Sequence, residues 1–227
     1  MSTYSKTNGA YKTLSDVKEQ RIYVECMMEA TSRLKAAKQY LASYNSTAQI
    51  PDLESAILQV RKSLETIAYS AIAPDKKKYA AFRSKVEKDP DYTKDYHASK
   101  IFSALAQINK EYYPVPLIPF VVKPDETKHF DRKEKGFLKE KQFKRIYDRL
   151  GKHLHAHNPW SNNKNIQNLA KDLPKIIEET QELLDLHVRF IRTPTVHGAW
   201  VVEVDRHGKQ PPRIITAIAD GNFVVAN

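Results

Sequence analysis

In the stretch RLGKHLHAHNPW, Arg149 stands six residues before His155, His153 and His157 flank it at alternate positions, and Asn158-Pro159 closes the run. Arginine and histidine are the side chains that RNA cleavage without a metal requires. The ribose 2′-OH attacks the adjacent phosphate, an imidazole titrating near neutrality takes or gives the proton, and a guanidinium holds the phosphate through two parallel N–H donors as charge builds. Other readings of the same residues stay open. Tyr147, His153 and His157 could be satisfied interface residues, with Arg149 paired to a carboxylate such as Glu65. His153 and His157 are spaced i, i+4 and could share one ion, but no HExxH or neighbouring carboxylate completes a site, so neither metal nor cofactor is expected.

The residues leading in, FLKEKQFKRIYD, predict a helix over 135–155 that the Asn-Pro pair stops or bends. At about 100° per residue, Arg149 and His155 lie roughly 120° apart on that helix, whereas Arg149 and His153 are about 40° apart. Unwinding of the last turn would re-aim His155, so helical phase alone does not choose between them.

Four further helices are expected upstream and downstream. The first runs from Thr13 or Ser15 to about Tyr44, with a stripe of Val17, Val24, Met27, Met28, Leu34, Ala37 and Leu41. The second opens at Pro51-Asp52 and carries Leu53, Ala56, Ile57, Val60, Leu64, Ile67, Ala68 and Ala71, the cleanest 3.6-residue period in the chain. A basic segment from Asp75 to Tyr92 holds a short helix and a turn, and a third main helix spans 93–112. YYPVPLIPFVVKPD has four prolines in eleven positions, which excludes helix and predicts an extended connector packed over the bundle. The last main helix spans 163–186, with Pro174 predicting a kink or two abutting helices. Beyond Leu186 the period changes: HVRFIR, AWVVEVD and RIITAIA read as a small antiparallel meander, NFVVAN as a further strand. Three strands alone are marginal in water, so the meander should lean on the helices or on another chain. The predicted organisation is a polar tail (1–12), a helical domain (13–186) and a β-meander appendage (187–227).

The 227 residues carry a formal charge of +10, which favours polyanionic partners, nucleic acid above all. The Lys and Arg residues from Lys123 to Arg149 could track a phosphate backbone, with Phe130, Phe137, Phe143 and Tyr147 available to stack; alternatively those aromatics turn inward beneath a solvated face. One cysteine, Cys26, excludes an intrachain disulfide. No apolar leader or 18-residue apolar run is visible, so no membrane segment and a cytoplasmic setting are expected. Walker A, GxGxxG and GxSxG motifs are absent.

A mainly α chain of about five helices, carrying Arg149-x5-His155 on its penultimate main helix, resembles the HEPN superfamily (higher eukaryotes and prokaryotes nucleotide-binding), whose RNases bear an Rx4-6H motif there. The likeness covers residues 13–186. Arg61 and Glu65 in RKSLE fall where such proteins place a basic and an acidic residue, and Leu150 stands where the family often has a polar residue. The resemblance implies a metal-independent endoribonuclease with Arg149 and His155 catalytic and Tyr147, His153, His157, Asn158, Arg61 and Glu65 in support. It further implies a homodimer with both motifs at one cleft, RNA as substrate, a toxin or host-defence role, and an antitoxin or regulatory protein as partner. The rival expectation is a non-catalytic basic module that binds nucleic acid or a partner protein.

Overall fold

Leu53, Ala56, Ile57, Val60, Leu64, Ile67 and Ala68 recur every three or four positions, and all are fully buried. They form the inner face of helix α2 (Ile50–Ser70), which Pro51 and Asp52 open as expected. The computed structural model describes residues 17–86, 91–155, 160, 166–192 and 197–219. It is mainly helical, with a C-terminal antiparallel sheet. α1 (Val17–Thr47) pairs with α2 along its length, burying Tyr23, Met27, Ala30, Leu34, Ala37 and Leu41. Met28 is half-exposed, so the stripe follows Tyr23, Met27 and Ala30 rather than Val24 and Met28. The expected caps Thr13 and Ser15 lie outside the described residues.

A single turn at Ala73–Asp75 leads into the short α3 (Lys76–Val86). α4 (Ala98–Ile108) is shorter than the predicted 93–112. Asp95 explains the late start: its carboxylate accepts two hydrogen bonds from Arg83 (3.0 and 2.7 Å) and one from the Tyr79 hydroxyl (2.7 Å), holding residues 92–95 in a turn against α3. α5 spans Glu140–Lys152 and not 135–155. Gly136 has φ +85°, a left-handed conformation that interrupts helix, and His153 is already the C-cap. α6 (Ile166–Leu184) passes through Pro174 as one helix, not two.

Among the described residues the sheet has four strands in the order β1-β4-β5-β6, every neighbour antiparallel. β4 (Leu186–Arg192), β5 (His197–Glu203) and β6 (Arg213–Ala219) are the predicted meander. β1 (Val115–Pro116) is an addition: the proline-rich connector pairs Val115 with Val188. It next forms a hairpin of β2 (Val121–Val122) and β3 (Lys128–His129). The connector therefore lies over the sheet in its middle, where Leu117 and Phe130 pack on Val188, Phe190 and Ala199. Only its ends, Tyr112, Tyr113 and Leu138, join the helical core. The strand expected at NFVVAN falls outside the described residues.

The opposite sheet face is built into the bundle. Ile191, Trp200, Val202 and Val204 belong to the same apolar core as the helices. Polar side chains go in with them. Arg189 is fully buried, donates to the Ala71 carbonyl (3.3 Å) and lies 4.0 Å from the buried Asp75, which also accepts from Asn109 (2.7 Å). His187 donates from Nδ1 to the Leu184 carbonyl (2.9 Å), so its Nε2 accepts from the Tyr23 hydroxyl (2.7 Å). Burial, aided by the Arg189 charge, lowers the His187 pKa to about 4.

A histidine kept neutral when folded is charged in the unfolded chain below its ordinary value near 6.5, where the unfolded state binds the extra proton. Stability from this residue is present above that value and is lost as pH falls toward about 4. The loss amounts to roughly 3 kcal/mol over the window. Urea unfolding between pH 7 and 4.5 should show this decline, and His187→Gln should flatten it; identical slopes in the two proteins would remove His187 as the cause.

Candidate functional site

α5 presents two faces with different chemistry. Phe143, Ile146, Tyr147 and Leu150 point inward, recurring at i, i+3, i+4 and i+7. The outward positions Lys141, Lys144, Arg145, Arg149 and Lys152 are cationic, with Glu140 and Asp148 the acidic residues exposed beside them. Arg149 and Lys152 lie in the last turn, where positive charge offsets the negative end of the helix.

On the inward side, three of the predicted supporting residues meet. The Tyr147 hydroxyl donates to Glu65 Oε1 (2.8 Å) and accepts from Arg61 Nη2 (2.8 Å). Arg61 Nη1 donates to the Tyr147 carbonyl (3.0 Å), and its Nε lies 3.3 Å from Glu65. The guanidinium stacks 4.0 Å from the Tyr147 ring centroid. Burial first, then the Glu65 hydrogen bond, pushes the Tyr147 phenol well above its ordinary pKa, so it stays protonated and keeps donating. Because Arg61 and Glu65 are one turn apart on α2, one helix supplies both charges.

Gly151 is what lets the guanidinium approach. A Cβ at this position would stand 2.2 Å from Arg61 Nη1 and 3.1 Å from Cζ. A glycine inside an otherwise helical pattern is the sequence signal of such an approach.

Arg149 is elsewhere. Two residues from Tyr147, it faces away from the Arg61–Glu65 pair and bonds Asp172 of α6 through Nη1 (2.6 Å). Its carboxylate partner is thus Asp172, not Glu65. Nothing in the sequence marks Asp172, because the bond joins residues 23 apart on different helices. Both side chains are open to solvent, 37% and 53% exposed, so the pair contributes little stability and can exchange partners.

His153 is the C-cap of α5, half-buried, and His155 is exposed two residues beyond it. The 120° separation predicted for a continuous helix therefore does not apply to His155. His157 and Asn158 fall outside the described residues. Leu150 is fully buried and brings no polar group to the site. Phe143 and Tyr147 are buried too and offer no face for stacking, and Phe130 packs against the sheet. Among the described residues no three His, Cys, Asp or Glu side chains gather as a metal site, and no helix is long and apolar enough to cross a membrane. No protein-family model matches this chain, and neither curated proteins nor solved structures give a match.

Replacing a helical glycine with alanine ordinarily stabilises by up to about 1 kcal/mol. Gly151→Ala should do the reverse, because displacing Arg61 breaks charge-assisted bonds to Tyr147 and Glu65, at a cost of about 1–3 kcal/mol. Chemical denaturation decides the sign, and a gain in stability would show that Arg61 moves aside freely.

Proposed function

We propose that the chain is a metal-independent endoribonuclease of the HEPN type, acting in the cytoplasm as a homodimer and serving as a toxin or host-defence effector. The observation that carries this reading is the outward face of α5, where Lys141, Lys144, Arg145, Arg149 and Lys152 rise along one side toward His153 and the exposed His155. One or two cations per 5.4 Å turn suit a single-stranded phosphate backbone. In this reading Asp172 occupies the position of a substrate phosphate on Arg149. A phosphate offers the same paired oxygens with more charge, so it displaces an exposed carboxylate at little cost.

The roles follow from the chemistry. Arg149 clamps the scissile phosphate and neutralises charge as the 2′-oxygen attacks, while His155 moves the proton. Arg61, Glu65 and Tyr147 act as positioning residues, fixing α5 from its buried side. One Arg-His pair is half of a catalytic set, so a second copy related by a two-fold axis supplies the other half. An antitoxin or regulatory protein with an acidic face would cover the same cationic stripe. The rival reading, a basic module that binds nucleic acid without cleaving it, is favoured by one observation: Arg149 has a carboxylate partner on its own chain.

Cleavage of single-stranded RNA should persist in EDTA. Arg149→Ala and His155→Ala should each slow it by about 10²- to 10⁴-fold with unchanged melting temperature, and His153→Ala by less than tenfold. Replacing Lys144 and Arg145 together should lower the slope of log affinity against log salt by about 0.7 for each phosphate no longer neutralised. Tight binding without cleavage establishes the rival, and light scattering that finds only monomers at micromolar concentration removes the dimer.

A further inference from the structure

The aromatics that the sequence offers for stacking on nucleobases are engaged elsewhere: Phe137, Phe143 and Tyr147 pack into the helical core and Phe130 against the sheet. Trp160 does the opposite. It is 93% exposed, more than any other large apolar side chain among the described residues. The second tryptophan of the chain, Trp200, is 2% exposed and meets Tyr23 edge-on in the core, with ring centroids 5.8 Å apart. An indole left in water forgoes the large area that this side chain ordinarily buries, and tryptophan is enriched where a binding surface needs a broad, rigid face.

Trp160 belongs to the end of the molecule that carries the proposed site. α5 ends at Lys152 and α6 starts at Ile166, so Trp160 lies in the connection between them. The Arg149–Asp172 bond joins the last turn of α5 to the second turn of α6, which sets both ends of that connection beside the cationic stripe. Trp160 follows the exposed His155 by five residues, so their α-carbons lie within about 18 Å of each other, a few nucleotides along an extended strand. Lys152 and Lys171 are exposed on the two helices and add positive charge for phosphates on either side.

We infer that Trp160 is the stacking platform for a base close to the scissile phosphate, and that through it the protein selects single-stranded over duplex RNA. The assignment rests on the endoribonuclease reading for its place in the reaction. In a duplex both faces of a base are already covered by its neighbours, whereas in a single strand the base splays out and stacks on an aromatic side chain. Cations alone cannot make this distinction, because they neutralise the phosphates of either form. Every base has a π-face, so the platform reads the state of the strand and tolerates its sequence. The stripe on α5 supplies affinity, and the indole supplies the choice of strand.

Fluorescence of the full chain tests this apart from catalysis, since Trp160 and Trp200 are its two tryptophans and the first alone is open to a soluble quencher. A single-stranded RNA with every 2′-OH methylated binds without being cut; it should quench the Trp160 emission and shield it from acrylamide. The same strand within a duplex, or an abasic strand of equal length, should do neither. Trp160→Ala should weaken the single strand about tenfold and leave duplex affinity unchanged, while Trp160→Phe keeps most of the single-strand affinity. Neither variant should shift the melting temperature, because the ring is exposed. Equal affinity of Trp160→Ala and the parent for the single strand, equally tight binding of the abasic strand, or quenching by the duplex would overturn the platform. So would a blue shift of Trp160 on anionic phospholipid vesicles with no response to RNA, which would make the indole a membrane-surface anchor. Cleavage assays report on the other claim separately: quenching by single strands without cleavage retires the nuclease but not the platform, and cleavage with a KM indifferent to Trp160→Ala retires the platform but not the nuclease.

Discussion

The interaction on which the arrangement turns is the guanidinium of Arg61 laid against the Tyr147 ring beneath Gly151. A charge in this position must be both neutralised and hydrogen-bonded, or its desolvation exceeds its gain. Glu65 supplies the charge, the Tyr147 hydroxyl and carbonyl supply acceptors, and the missing side chain of Gly151 supplies the room. Each condition constrains α5 in a different direction. Its rotation is set by Tyr147, its distance from α2 by Gly151. The outward cationic stripe is therefore not free to turn: fixing the buried face fixes where Arg149 points.

A second group of polar residues ties the sheet to the bundle. Arg189, His187 and Asp75 lie among Trp200, Val202 and the helical core, so sheet and helices share one buried group of hydrogen-bonded side chains. Arg206 adds an outer clasp, bonding Glu178 and Glu182 of α6 as well as Asp185 at its junction with β4. The helix that carries Asp172 is anchored to the sheet at its far end.

Much of this is legible in the residues, and the departures have physical causes. The stripe of α2 can be read position by position because one clean period faces one core. α1 is longer and only weakly amphipathic, so a small error of phase puts Met28 inside and leaves Tyr23 out. The termini of α4 and α5 depart from expectation where tertiary bonding overrides local preference: Asp95 is pulled into a turn by Arg83 and Tyr79, and Gly136 adopts a left-handed conformation. β1 is two residues long and contains Pro116, which only an edge strand tolerates, so it has no pattern to show. HVRFIR does not alternate cleanly because both faces of β4 are covered, one by helices and one by the connector. For the site, the residue types are visible but their partners are not. Arg61, Glu65 and Tyr147 stand out singly; that they meet, and that Arg149 goes instead to Asp172, depends on packing between distant helices.

The bond between Tyr23 and His187 joins residues 164 apart in the chain. Ribosomes add about 5–20 residues per second. Tyr23 thus leaves the ribosome on the order of ten seconds or more before its partner exists. During that interval the face of α1 that carries Tyr23 and Met27 lacks its cover from Trp200, and the α1–α2 hairpin must persist as a partly apolar intermediate. The fold closes on two segments far apart in the chain, which makes synthesis of the sheet, rather than any helix forming early, the event that seals the core.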